Sequence, residues 1–254
     1  MPGNDYVQSL ERGIAVLRSF DGEHPAMTLT KVAERTGLTR ATARRFLLSL
    51  ESLGYVRVDE RLFSLTPAVL EFGQGYLSTL PLSAIAQPHL DSLTAAVHES
   101  SSLAVLDLRD VVYVARAAAP RITSVTISVG TRLPAYATSL GRVLLGGLDR
   151  PTLDRHLRSA RSQALTEHTV TDLDELRRRI ELARAQGYCV VDQELEPGLR
   201  SAAAPVHDRS GRVTAAVNVS TLASRVDLET VHRRLVPVVR AAAARIEADA
   251  RALG

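Results

Sequence analysis

An α+β fold in two parts is what this sequence predicts, and three observations carry it. Residues 6–53 read as three amphipathic helices in close succession. A strand-turn-strand pattern follows, with Val56 and Val58, then Phe63 and Leu65, alternating about Asp59-Glu60-Arg61. Beyond residue 81, strand-like and helical runs are mixed, which predicts an antiparallel sheet with helices. The predicted organisation is a winged helix-turn-helix over 1–66, a linker helix over 67–81 and a larger domain over 82–254.

The first helix is predicted from Tyr6 to Phe20. Leu10, Ile14 and Leu17 form its inward stripe, Val7 leads in, and Ser9 offers a cap. The run Asp21-Gly22-Glu23-His24-Pro25 breaks it. A second helix spans Thr30 to Thr36 with Val32 and Ala33 inward. Gly37 takes the turn, and Leu38 plugs the corner.

The third helix, TRATARRFLLSLESLG, organises the rest. Ala43, Phe46, Leu47, Leu50 and Leu53 make its apolar stripe. Thr39 can cap it and Gly54 ends it. Arg40, Ala41, Thr42, Arg44 and Arg45 lie on the other side of the first two turns, with no acidic residue before Glu51. An ordinary two-helix corner fits these sixteen residues. So does a recognition helix whose N-terminal residues face base edges in a DNA major groove. The wing after it favours DNA. Thr39, Arg40, Thr42, Arg44 and Arg45 are the candidate DNA contacts, with Arg57 on the wing. Arg61 counts for less beside Asp59 and Glu60.

Thr66-Pro67 opens the linker helix, with Pro in its first turn. Its apolar residues Val69, Leu70, Phe72, Tyr76, Leu77 and Leu80 occupy more than one side, which suggests packing on a partner, or on its own domain. A helix from Leu82 to His98 follows, begun or kinked near Pro88. SSLAVLDL and VVYVARAA form a hairpin about Arg109-Asp110, and ITSVTISVG is another strand-like run. LGRVLLGGL, PTLDRHLRSA and 172–186 are helical, and Tyr188 to Asp192 is a strand. AAAPVHD and VTAAVNVST flank a turn at 209–212, and a long helix from Asp227 to Leu253 closes the chain.

The 254 residues are enough for two cored domains. A hydrophobic content of 45% argues against disorder. Neither a membrane-length apolar run nor a secretory leader is seen, and one cysteine, Cys189, suits a reducing cytoplasm. Residues 1–66 hold nine Lys/Arg against eight Asp/Glu, so the DNA reading rests on where the arginines sit.

In the second part, GTRLPAYATSLGRVLLGGL leads through Thr138 and Ser139 into a helix beginning near Leu140. The free amides of Ser139 and Leu140 suit an anion such as a carboxylate, or Thr138 or Ser139 simply caps the helix. In GYCVVDQELEPGLRSAAAPV, Asp192, Glu194 and Glu196 are too spread for an acid–base pair, and ion pairing with Arg200 accounts for them. Arg116 is a further counter-ion candidate, with a surface salt bridge as its plain alternative. Cys189 reads as a buried strand residue. No metal-ligand spacing, G-x-S-x-G elbow or P-loop occurs, so no catalytic residue, metal or cofactor is expected.

YVQSLERGIAVLRSF, TLTKVAERTGLTRATARRFLLSLESLGYV, LPAYATSLGRVLL and GYCVVDQELEPGLRSAAAPV together resemble the IclR-type bacterial transcriptional regulators over nearly the whole chain. Their wording is similar to the subgroup governing protocatechuate, 4-hydroxybenzoate and β-ketoadipate catabolism. The resemblance implies a GAF/PAS-like effector-binding C-terminal domain. It implies a homodimer, or a dimer of dimers, on double-stranded promoter DNA, and a small carboxylic acid as effector. By motif position, the effector residues are Ile122, Val125, Ser139, Leu140, Asp192, Ser201, Asn218 and Ser220. Some family members carry Cys at the position of Ser201 and Ser at that of Asn218. The alternatives are a ligand-independent DNA-binding protein and an enzyme acting on a small carboxylic acid.

Overall fold

The computed structural model describes residues 6–78, 81–119, 127–159 and 162–253. Its internal contacts divide the chain into two compact units, Met1–Ser78 and Thr79–Gly254, and the linker helix falls in the first.

The first unit holds α1 (Gln8–Arg18), β1 (Ala26–Thr28), α2 (Leu29–Thr36), α3 (Arg40–Ser52), β2 (Val56–Asp59) and β3 (Leu62–Leu65). A 3-10 turn (Pro67–Val69) then leads into α4 (Leu70–Ser78). Thr28 caps α2 by accepting from the Lys31 amide, and Gly37 ends α2 in the left-handed region at φ 66°. The Leu38 amide donates to the Ala33 carbonyl, which closes the corner between α2 and α3. Val16, Phe20, Val32, Ala33, Leu47 and Phe63 are among the residues that fill this unit's core. The wing has a third strand that the hydrophobic pattern did not reveal: β1 pairs antiparallel with β3, giving the order β1-β3-β2.

Three local expectations are corrected. Ser9 lies inside α1, and Val7 occupies the cap position with no side-chain cap bond. Two of the three residues expected to face inward are outward: Leu10 and Ile14 are 64% and 46% exposed, while Leu17 packs partly buried against the core with Val16 and Phe20. Helix α1 has two apolar faces, and this unit buries only one. Leu53, at 67% exposure, also lies outside the core, because α3 ends at Ser52.

In the second unit, α5 (Pro81–Val97) precedes β4 (Ser100–Asp107), β5 (Asp110–Ala117) and β6 (Arg132–Pro134). Then come α6 (Ser139–Gly146), α7 (Arg150–Ser159) and α8 (Leu173–Gln186). Three strands follow, β7 (Cys189–Asp192), β8 (Leu199–His207) and β9 (Val213–Leu222). The chain ends in α9 (Leu228–Thr230), a π turn (Val231–Leu235) and α10 (Val236–Leu253). The strands form an antiparallel sheet in the order β6-β5-β4-β9-β8-β7.

One face of the sheet packs on α5 and α10. The other packs on α6, which α8 backs. Both faces being covered, Ser100–Ala104 are buried without interruption instead of alternating. The strand-like ITSVTISVG falls mostly outside the described residues.

Candidate nucleic-acid interface and small-molecule cavity

Helix α3 shows its core side through Ala43, Leu47 and Leu50 and turns Arg45 away from them. Thr39 caps it, with its hydroxyl accepting from the Thr42 amide at 3.2 Å and donating to the Thr42 hydroxyl at 2.9 Å. Arg40, Arg44 and Arg45 are exposed, and none is ion-paired among the described residues. The helix N-terminus therefore combines its partial positive charge with three neighbouring full ones and carries no acidic residue in its first turn.

On the wing, Arg57 donates from Nε to Ser64 Oγ at 3.1 Å across the β2–β3 pair. That steadies the side chain and leaves its charge unneutralised. The sequence reading passed over Arg12, which lines a polar cleft beside α3 with Ser9, Thr42, Arg45 and Ser49. Only packing α1 against α3 reveals this, since thirty-three residues separate Arg12 from Arg45.

The second unit encloses a cavity of about 20 Å³ between the α6 side and the sheet, room for about one water. Ser201, Asn218 and Ser220 line it, together with Tyr113, Ile127 and Leu199. Ser139 Oγ donates to Ser201 Oγ at 2.8 Å. Asn218 Nδ2 donates to Ser220 Oγ at 3.1 Å, while Asn218 Oδ1 is buried with no partner among the described residues. A buried unpartnered acceptor is costly, so it calls for a donor, which a water or a ligand in the cavity can supply.

Thr138 caps α6, its hydroxyl accepting from the Gly141 amide at 3.0 Å. The amides of Ser139 and Leu140 have no partner among the described residues. Gly141 is required because a Cβ there would stand 2.0 Å from the Ala135 carbonyl oxygen. That close approach seats the start of α6 against the 3-10 turn Ala135–Ala137 that precedes it.

The other candidates are placed differently. The Leu140 side chain packs into the apolar core. Arg200 donates to Asp192 from Nε and to the Val226 carbonyl from Nη1 at 2.7 Å, so the Asp192 carboxylate is already engaged. Ile122 and Val125 lie outside the described residues.

Beside the cavity is a buried ion pair that no sequence pattern signalled. Arg142 and Glu194 are 1% and 2% exposed. Their bond is bidentate, with Nη1 to Oε1 at 2.7 Å and Nη2 to Oε2 at 2.5 Å. Arg142 Nε donates to the Tyr136 carbonyl, and Glu194 accepts from the Val170 amide. Every polar atom of the pair is thus used within the fold. Among the described residues, no group of acidic, histidine or cysteine side chains could hold a metal, and no helix is long and apolar enough to cross a membrane.

Two family models match: the IclR helix-turn-helix domain over residues 9–60, and the bacterial transcriptional regulator IclR C-terminal domain over residues 74–248. The chain is 45% identical to the Pca regulon regulatory protein of Pseudomonas putida over 239 residues, covering 94% of this chain and 82% of that protein. It is 37% identical to the p-hydroxybenzoate hydroxylase transcriptional activator of Acinetobacter baylyi, covering 93% and 89%. Its fold is similar to the crystal structure of an IclR homolog complexed with 4-hydroxybenzoate from Microbacterium hydrocarbonoxydans. That match has a TM-score of 0.83 at 27% identity and covers 96% of this chain and 99% of the other.

Proposed function

The chain belongs to the IclR family of bacterial transcriptional regulators, and from that premise we propose how this member recognises DNA and what switches it. It is a DNA-binding regulator and not an enzyme. Arg45, Arg44, Arg40 and Thr42 are the base- and phosphate-facing residues of α3, Thr39 orders the helix start, and Arg57 and Arg12 meet the flanking backbone.

The effector is a small acid of the 4-hydroxybenzoate class, bound between α6 and the sheet with Ser139, Ser201, Asn218 and Ser220 as its polar contacts. The observation that carries this is that Asn218 Oδ1, without a partner among the described residues, shares one cavity with Ser201, whose hydroxyl accepts from Ser139. The bound acid of the Microbacterium homolog supports the class of ligand.

A ring-sized acid exceeds the 20 Å³ present, so binding parts α6 from the sheet. A ligand shifts an equilibrium only by its differential affinity for the two states. The strain of opening makes this cavity an element that can be biased in that way. Leu140 and Asp192 act as surroundings of the site, Asp192 through its hold on Arg200.

The DNA-bound form is a homodimer. Leu10, Ile14, Leu53 and Phe72 stay exposed in the first unit, a patch of the sort that marks an interface. Two copies would set their α3 helices about 34–36 Å apart, or at a multiple of that spacing.

The test is fluorescence anisotropy of the full chain on DNA from upstream of its own gene, against nonspecific competitor. Protocatechuate, 4-hydroxybenzoate and β-ketoadipate are added in turn. The expected result is competitor-resistant binding that one acid changes roughly 5- to 150-fold. Specific binding that no acid alters, together with no acid binding to the protein, would sink the effector assignment and leave the DNA assignment standing.

A further inference from the structure

The cavity reading leaves open which side chain meets the effector's negative charge. A carboxylate withdrawn from water needs a full counter-charge or several donors. No cation is among the residues lining the described cavity. The guanidinium groups packed around it are taken: Arg142 by Glu194, Arg200 by Asp192, and Arg132 by Asp107 and Asp110.

Arg116 is the exception. It is half-buried on β5, and among the described residues its one side-chain hydrogen bond is a long 3.4 Å contact from Nη1 to Ser102 Oγ. No carboxylate faces it among the described residues. Burial pushes its pKa below the ordinary value, and only the Tyr113 hydroxyl opposes that. The same burial lifts Tyr113 to about 12, so the phenol is neutral and gives no compensating charge at neutral pH.

The sheet register shows how Arg116 comes to face the ligand side. Tyr113 and Arg116 are three residues apart, which on a regular strand puts them on opposite faces. Here the β4–β5 register shifts between Leu103 and Ala104. Tyr113 pairs with Ala104, Ala115 pairs with Leu103, and Val114 is left without a partner. That irregularity returns Arg116 to the face of Tyr113, as bulges beside binding sites commonly re-aim side chains. The register then runs Arg116, Ser102, Asn218 straight across β5, β4 and β9, so arginine and unpartnered amide share one row of the cavity face.

We infer that Arg116 is the counter-ion of the effector's carboxylate, with the other end of the molecule directed at Asn218 and the Ser139–Ser201 hydroxyl pair. This rests on the cavity reading and reverses the polarity in which the carboxylate sits on the α6 amides. The physical preference is for a full charge with a planar fork of donors, which matches a carboxylate bidentately, over the fractional charge of a helix start. The α6 end, with hydroxyls and an acceptor amide oxygen, suits a neutral hydroxyl that both donates and accepts. Ser201 on β8 and Arg116 on β5 are three strand spacings apart, roughly 14 Å between backbones, a gap that the arginine side chain and an aromatic ring can bridge together.

Isothermal titration of the full chain with three probes tests this: 4-hydroxybenzoate, its neutral counterpart 4-hydroxybenzamide, and benzoate, which lacks the far hydroxyl. The wild type should prefer acid over amide by roughly 10- to 100-fold, the scale of a charge-assisted bidentate contact. Arg116→Gln should bring that ratio near one, and Arg116→Lys should fall between. Ser139→Ala should leave the acid-to-amide ratio intact while shrinking the preference for 4-hydroxybenzoate over benzoate.

Each ratio compares two ligands on one variant, so partial misfolding cancels from it. An undiminished acid preference in Arg116→Gln would overturn the assignment, as would loss of that preference in Ser139→Ala. A wild type that binds the acid and the amide equally would remove Arg116 while keeping the cavity. A wild type that binds none of the probes would remove the cavity reading and the inference with it.

Discussion

The two units use arginine in opposite ways. In the first, Arg40, Arg44 and Arg45 project from α3 with no ion pair among the described residues, although Arg35 is tied to Asp21 and the Ser19 carbonyl. In the second, arginine is mostly structural. Arg142 is sealed against Glu194, Arg132 spans Asp107 and Asp110, and Arg177 spans Asp154 and Asp174. Charge left free on a surface is held ready for a partner of opposite sign, while charge paired inside a fold is committed to that fold. By that criterion Arg116 belongs with the first group although it sits in the second unit.

The sharpest way to break this contrast is to unpair the buried bond. Glu194→Ala leaves the Arg142 guanidinium buried without its carboxylate and should cost about 3–5 kcal/mol of stability. Urea unfolding followed by circular dichroism reads it directly, and a loss below about 1 kcal/mol would show that the pair is not committed to the fold. The next effect belongs to the free arginines. Arg45→Ala should leave stability nearly unchanged and remove about 1–3 kcal/mol of discrimination between operator and scrambled DNA. Arg57→Ala should instead weaken both DNAs alike and lower the salt dependence. If the two variants behaved identically, base reading would not lie on α3.

A smaller effect follows from the cap of that helix. Thr39→Ala should cost about 1 kcal/mol, measured as a lowered thermal midpoint, and Thr39→Ser should restore most of it. A separate, pH-dependent effect concerns Cys189, whose thiol burial lifts from 9.0 to about 11. The folded state keeps a proton that the unfolded chain releases between those values. Its contribution is full below pH 9 and fades as pH rises toward 11. Denaturation curves of wild type and Cys189→Ala should therefore converge across that window, and parallel curves would place the thiol in contact with water.

The first unit was more readable than the second because its information is local. Thr39, Gly37 and Gly54 act on neighbouring backbone, and an arginine on the outer side of a short helix needs no distant residue to define its role. Leu10, Ile14 and Leu53 mark where that approach fails. Periodicity identifies an apolar face, but not whether the same chain or a second copy covers it. Near the cavity, Ser139 stood out as the start of a helix, and Ser201 only by resemblance. Arg142 looked like any helix arginine, because its partner lies fifty-two positions away.

By itself the sequence determined the fold class, the order of most of its elements and the amphipathic third helix with its outward arginines, all set by backbone propensity, capping and apolar spacing within a few turns of chain. The tertiary structure alone decided which polar groups are paired and which are left over. Glu194 and Asp192 are engaged by arginines of the fold, while among the described residues Asn218 Oδ1 has no donor and Arg116 no carboxylate. That distinction depends on strand register and on one unpaired residue, Val114, which re-aims a side chain across the sheet. A one-residue shift in register exchanges the two faces of a strand, and the spacing of residues along the chain does not record it.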